Sequence, residues 1–297
     1  MRKASSLRQK RLHMAKYRKI LIAVDGSESS KNALHQAFKL ANEEKCWITV
    51  TAVVSPYDGE VETLGIADIR AVLRKPCEDA LAEVNKIATT ERMLIKTVCE
   101  EGEIYERIVD LADAENCQVI VMGRRGRSKT ERTRVGHVTA RVIGHTSRDV
   151  LVVPAGTVIG WKKIVLATDG SRQSSAAVER AIAFAQSYGG GLRVLSVVDV
   201  TGEFHAEAPQ VVEELVRKAK TYTAAVKQKA AAVGIQTETF VAEGDAADAV
   251  TELARTENAD VIVVGSHGRT GLRRLLMGSV TERIIGSASC PVLVVKS

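Results

Sequence analysis

The sequence predicts an α/β protein built from two repeated, doubly wound five-stranded parallel sheets with helices on both faces. An internal repeat is the first observation behind this. Lys19-Ile-Leu-Ile-Ala-Val-Asp25-Gly-Ser returns in the second half of the chain as Lys163-Ile-Val-Leu-Ala-Thr-Asp169-Gly-Ser, and Val119-Ile-Val-Met-Gly123 returns at nearly the same offset as Val261-Ile-Val-Val-Gly265. The second observation is that the strand segments are near-continuous Val, Ile and Leu separated by helical patterns, as in a parallel sheet covered on both sides. A chain of 297 residues gives each repeat enough length for its own core.

Both halves follow one order. A helical stretch follows each Asp-Gly-Ser, then an apolar strand (Ile48 to Val54; Leu192 to Val198), then a long amphipathic helix (about Ile69 to Ala88; about Val211 to Ala232). A third strand (Met93 to Cys99; Gln236 to Val241) precedes a helix that opens after Gly102 or Gly244. The fourth strand ends at Gly123 or Gly265, and each half closes with a helix and a last apolar strand, Asp149 to Pro154 and Pro291 to Val295. Right-handed crossovers make each half doubly wound. The expected boundaries are a basic disordered tail over 1–16, a first domain over 17–156 and a second over 160–297. Bare terminal strands are hazardous edges, and the two halves can supply theirs to each other.

The net charge of +6 is misleading, because eight Lys and Arg crowd the stretch from Met1 to Lys19 with no acid among them. Without those eight the body carries −2. The tail lacks the apolar middle of a secretory signal, and no apolar run approaches the roughly 20 residues that span a bilayer. With aromatic residues at 4% there is little on which to stack bases, which argues against nucleic acid as a partner. The five cysteines, Cys46, Cys77, Cys99, Cys117 and Cys290, form no C-x-x-C pair. Most of them read as small core residues suited to a reducing cytoplasm.

In a doubly wound sheet, ligands sit beyond the carboxyl ends of the strands where the winding reverses. Asp169 ends the first strand of its half and Gly265 the fourth, so both border one crevice if those strands are neighbours. After Gly265 comes Ser-His267-Gly268, a stretch of nine, then Gly278-Ser279 at the start of a helix. Glycines let main-chain N–H groups approach a ligand, and the helix start favours an anion. A competing structural account is a capping box in Ser279-Val280-Thr281-Glu282, and the aspartates also fit ordinary turns.

This combination, Gly265-x2-Gly268-x9-Gly278-Ser279 after an apolar strand together with an early Asp-Gly-Ser, resembles the ATP-binding motif of the universal stress protein family. The resemblance covers nearly the whole chain. It implies a Rossmann-like five-stranded sheet in each half and ATP, with Mg2+, in the crevice. Carried over by position, it implies Asp169 and the backbone of Val197 at the adenine and Gly265 at the ribose. Gly268, Gly278, Ser279, Val280 and Thr281 fall to the phosphates. His267, between two loop glycines, reads either as a contact to ribose or phosphate or as an exposed loop histidine with no role. The first half offers Asp25, Val53, Gly123, Gly126 and Gly136 in the same places, but His137 stands where the motif wants Ser or Thr. Its loop carries Arg124, Arg125, Arg127, Lys129, Arg132 and Arg134 against Glu131 alone, so it reads as a weakened, basic site.

The function expected is therefore that of a regulatory, stress-response nucleotide binder, held mainly by the second repeat, a pseudo-dimer within one chain and open to homodimerisation. S-G-G-x-D-S, H-x-G-H, Walker lysine and Ser/His/Asp signatures are missing, so no catalytic residues and no metal-ligating residues are assigned. The alternatives are a scaffold that holds no nucleotide and a slow ATP hydrolase.

Overall fold

A computed structural model of the chain describes residues 17–55, 69–125, 135–266 and 277–297. The first half runs β1 (Lys19–Ala23), α1 (Glu28–Glu44), β2 (Trp47–Val54), α2 (Ile69–Thr90), β3 (Ile95–Glu101), α3 (Ile104–Ala114), β4 (Val119–Gly123), α4 (His137–His145) and β5 (Asp149–Val153). The second runs β6 (Lys163–Ala167), α5 (Ser175–Tyr188), β7 (Gly191–Val198), α6 (Gly202–Glu207), α7 (Pro209–Ala231), β8 (Thr237–Glu243), α8 (Ala246–Thr256), β9 (Val261–Gly265), α9 (Ser279–Ser287) and β10 (Val292–Val295). The basic tail over 1–16 lies outside the described residues. The short α6 has no counterpart in the sequence reading. Its Thr201 cap, which accepts from Phe204 N at 3.2 Å, is the local signal that marks it.

The ten strands form one continuous sheet in the order β3-β2-β1-β4-β5-β10-β9-β6-β7-β8. Within each half every pairing is parallel, and at the junction β5 and β10 run antiparallel, with Val152 opposite Val292 and Val150 opposite Val294. Each terminal strand thus covers the other's edge, which removes two liabilities at once. Alternation along the strands sends Ile20, Ile22, Leu151 and Leu293 into one core and Leu21, Val150, Val152 and Val294 into the other. Helices α1, α2, α5 and α7 cover the first face, and α3, α4, α8 and α9 the second. Both cores therefore cross the boundary between the repeats.

Cysteine usage departs from expectation. Cys117 and Cys290 are buried free thiols, pushed up to about 11 and about 12 by loss of solvent, as small core residues should be. Cys77 on α2 and Cys99 on β3, however, are joined in a disulfide with a Cα–Cα distance of 6.1 Å. No spacing rule could reveal it, since the helix that packs on the strand sets the pairing.

Candidate functional site

β1 lies between β2 and β4, and β6 between β7 and β9, so the winding reverses there and the carboxyl ends of each central pair open a crevice. At the mouth of each crevice the aspartate closes a tight turn. Ser27 N donates to Asp25 Oδ1 at 3.0 Å, and Ser171 N to Asp169 Oδ1 at 2.9 Å. The turn account is thus realised, and it fixes each carboxylate at its strand end. Ser27 also caps α1, its Oγ accepting from Ser30 N at 3.2 Å, whereas Ser171 Oγ accepts from Ser174 N, the residue before α5, at 3.2 Å and so closes the turn that leads into that helix.

The fourth strand of each half is tied to the helix that starts beyond its loop. Thr139 Oγ1 donates to the Gly123 carbonyl at 3.2 Å and Thr281 Oγ1 to that of Gly265 at 3.0 Å, and both threonines are buried. Thr281 therefore offers a ligand its main-chain N–H, its hydroxyl being engaged. Gly136 and Gly278 are the residues that open α4 and α9, and neither helix start receives a side-chain cap. This corrects the capping-box account: Ser279 is the first helical residue and is exposed, with its hydroxyl not spent on capping. The free N–H groups of an uncapped start, with the helix dipole behind them, favour an anion.

Gly123, Gly136 and Gly278 do not have positive φ. At Gly123 the reason is proximity: a Cβ would fall 2.7 Å from the Ser29 carbonyl carbon and 2.8 Å from Ser30 N. The start of α1 packs directly on the end of β4, and Arg124 N donates to Ser29 Oγ at 2.8 Å.

In the first repeat this framework surrounds a cavity of about 970 Å³, and Asp25, Val53, Gly123, Gly136 and His137 line it together. Gly126, and with it Arg127, Lys129, Arg132 and Arg134, lies outside the described residues. Arg125 also reaches the cavity wall. Burial, and then the neighbouring Arg125, hold the Arg124 guanidinium below its ordinary value. Arg124 leaves the crevice altogether and donates to the Ala288 carbonyl at the end of α9, 2.8 Å away in the other repeat.

In the second repeat Asp169, Val197 and Gly265 stand at the ends of adjacent strands, with Gly278, Ser279 and Val280 at the mouth of α9. His267 and Gly268, like Arg269, Arg273 and Arg274, lie outside the described residues. One residue that the sequence reading missed is Tyr222. A Cβ on Gly170 would fall 2.3 Å from its ring carbon Cγ, so the ring lies against the Asp169–Gly170 turn. The matching position of the first repeat is Ala80, which lines the cavity. Alignment of the two repeats could have found this difference.

A family model for universal stress proteins matches residues 16–154 and again 160–296. The chain belongs to the universal stress protein family. A universal stress protein of Methanocaldococcus jannaschii is 39% identical over 140 residues, which cover 46% of this chain and 82% of the relative. A universal stress protein of Mycolicibacterium smegmatis is 25% identical over 295 residues and covers 93% of this chain and 96% of its own, so the tandem arrangement extends over both. Among solved structures, a universal stress protein from Archaeoglobus fulgidus superposes with a TM-score of 0.72 at 21% identity, covering 94% of this chain and 96% of that one. That likeness concerns the fold. Among the described residues no helix is long and apolar enough to cross a membrane, and no group of three or more His, Cys, Asp or Glu is arranged for a metal ion.

Proposed function

We propose that this universal stress protein is a cytoplasmic, regulatory adenine-nucleotide binder whose second repeat holds ATP, with Mg2+ carried on the phosphates. The observation that supports it best is that the Asp169 turn, the end of β9 and the uncapped mouth of α9 with Ser279 exposed all stand at the carboxyl ends of one adjacent strand pair. In this reading Asp169 and the Val197 backbone meet the adenine, and the Tyr222 ring offers a face for stacking. Gly265 meets the ribose. Gly268, Gly278, Ser279 and the N–H groups of Val280 and Thr281 meet the phosphates, with His267 beside them. No residue is assigned a role in hydrolysis. Nucleotide occupancy instead changes the surface that the loop presents to a partner. A homodimer would have to use other surfaces than β5 and β10, which occupy each other.

A second reading concerns the first repeat, and the cavity lined by Asp25 and His137 favours it. There the helix mouth and an imidazole donor replace the hydroxyl, so binding of the same class of ligand is expected to be weaker.

The test is calorimetry with ATP on the wild type and on Ser279→Asp. A carboxylate at the first helical position suits the helix dipole, so the fold is retained while the phosphates are repelled. The expected loss of affinity is on the order of tenfold or more, about 1.4 kcal/mol per factor of ten. Unchanged affinity in Ser279→Asp rules out α9 as the phosphate site, and a wild type that binds no adenine nucleotide leaves the scaffold reading.

A further inference from the structure

Three features of the first repeat meet on one wall of its cavity. Leu73, Pro76, Cys77 and Ala80 of α2 form that wall. Pro76 lies inside the helix and has no N–H, so the turn before it lacks a backbone hydrogen bond and is a natural hinge. Cys77, the next residue, is bonded to Cys99 of β3, the outermost strand of that end of the sheet. The weak point of the wall is thus pinned to the sheet by one covalent bond.

The second repeat has none of these devices. Four of the buried residues of α7, Ala219, Thr223, Val226 and Ala230, match Cys77, Leu81, Val84 and Ala88 of α2 at one constant offset in numbering. The same offset pairs Pro76 with Lys218 and Cys99 with Val241. The hinge and its clamp therefore belong to the first repeat alone.

We propose that Cys77–Cys99 is a thiol–disulfide exchange site that controls how firmly α2 closes the first crevice. The reactant class is small-molecule thiols and their disulfides. Cys99 is partly exposed whereas Cys77 is 4% exposed, so an incoming thiolate reaches Cys99 Sγ first. A bond forms from that thiolate to Cys99 Sγ, the Cys77–Cys99 bond breaks, and its electron pair leaves on Cys77, which takes a proton from water. The second thiol of a dithiol then closes on its partner sulfur and releases Cys99 as a thiol. The dithiol is oxidised by two electrons and the protein disulfide reduced to two thiols. Oxidised glutathione reverses the change and is itself reduced to two glutathione thiols. With the clamp open the hinge moves, and the crevice loses the preorganisation that a ligand needs.

The ligand part of this inference rests on the second reading above; the clamp itself does not. The experiment compares the full chain after treatment with oxidised glutathione, the same chain reduced with dithiothreitol, and Cys99→Val. That variant places at β3 the residue that β8 carries naturally. Peptide mapping is expected to recover Cys77 linked to Cys99 in the first sample and two alkylated cysteines in the second. Amide hydrogen exchange over residues 71–80 is expected to rise about tenfold on reduction and in Cys99→Val, with α7 unchanged as an internal reference. Absence of the linked peptide after oxidation, or equal exchange in all three samples, overturns the proposal. ATP titration of Ser279→Asp, which isolates the first crevice, is expected to show affinity about fivefold or more weaker in the reduced state. Affinity that ignores the redox state overturns the coupling. If exchange responds but no nucleotide binds in either state, the clamp stands and the nucleotide reading of that crevice falls.

Discussion

Gly123 illustrates what a single residue decides. The repeat marks it as a strand-end glycine; its φ is not positive, and the demand for a missing side chain comes from Ser29 and Ser30 of α1. Gly123→Ala is expected to lose about 1–3 kcal/mol in thermal or denaturant unfolding, because the neighbours it would strike are backbone atoms held by their own hydrogen bonds. A variant as stable as the wild type would show that α1 and β4 are not in this contact. Asp25 and Asp169 were legible as turn or ligand residues, and the turn hydrogen bonds are there. Tyr222 was not legible in either sense. Nothing in its own neighbourhood on α7 announces that it packs on a turn at the far end of β6, four elements back along the chain.

At the level of elements, the two helices that present the candidate anion sites are held by the same device. Arg141 of α4 pairs with Glu103 before α3 at 2.9 Å, and Arg283 of α9 pairs with Asp245 before α8. The repeats differ in that Asp245 also caps α8, accepting from Asp248 N at 2.9 Å, whereas Glu103 makes no cap bond to α3. The hydrogen bond from Arg283 is the largest of the causes that hold the Asp245 carboxyl below its ordinary 3.8. A carboxylate with a lowered folded-state pKa contributes stability above the unfolded value and loses it as pH falls through the folded one. Asp245→Ala is therefore expected to cost about 1 kcal/mol near neutrality, chiefly the lost cap, with the difference from wild type shrinking below about pH 4. Unfolding curves at both pH values check this, and a pH-independent difference would mean that the charge is irrelevant. Most strands and long helices were readable to within a few residues because each carries its own hydrophobic period. The start of α9 was misplaced by one role: Ser279 fits a capping motif, but the bond from Thr281 to Gly265 sets where the helix begins.

Across the whole molecule, the repeats are joined by more than the β5–β10 ladder. Asp149, 3% exposed at the start of β5, accepts from Tyr17 Oη at 2.7 Å and from Lys296 N at 3.0 Å, and Arg180 of α5 pairs with it at 2.9 Å. Tyr17 also packs edge-on against Phe184, so first-repeat residues sit within a second-repeat cluster. Burial, and then the Asp149 charge, raise the Tyr17 phenol well above its ordinary 10, and burial followed by Glu44 raises Tyr188. The unfolded chain would release these protons near pH 10 while the folded one keeps them, so stability is intact below that point and falls as pH rises beyond it. Tyr17→Phe is expected to cost about 1–3 kcal/mol at neutral pH, since it leaves a buried carboxylate short of a donor, and to flatten the alkaline fall in Tm. An unchanged alkaline limb would exclude Tyr17 as its source. The sequence by itself determined the duplication, the order of the strands and long helices and the family, because hydrophobic period and repeated motifs are local properties of a chain. Only the tertiary structure decided that β5 and β10 pair antiparallel, that Cys77 meets Cys99, that Tyr222 lies on Gly170 and that Asp149 gathers partners from both ends of the chain. Those contacts join residues far apart in sequence, and which of them form depends on how whole elements pack.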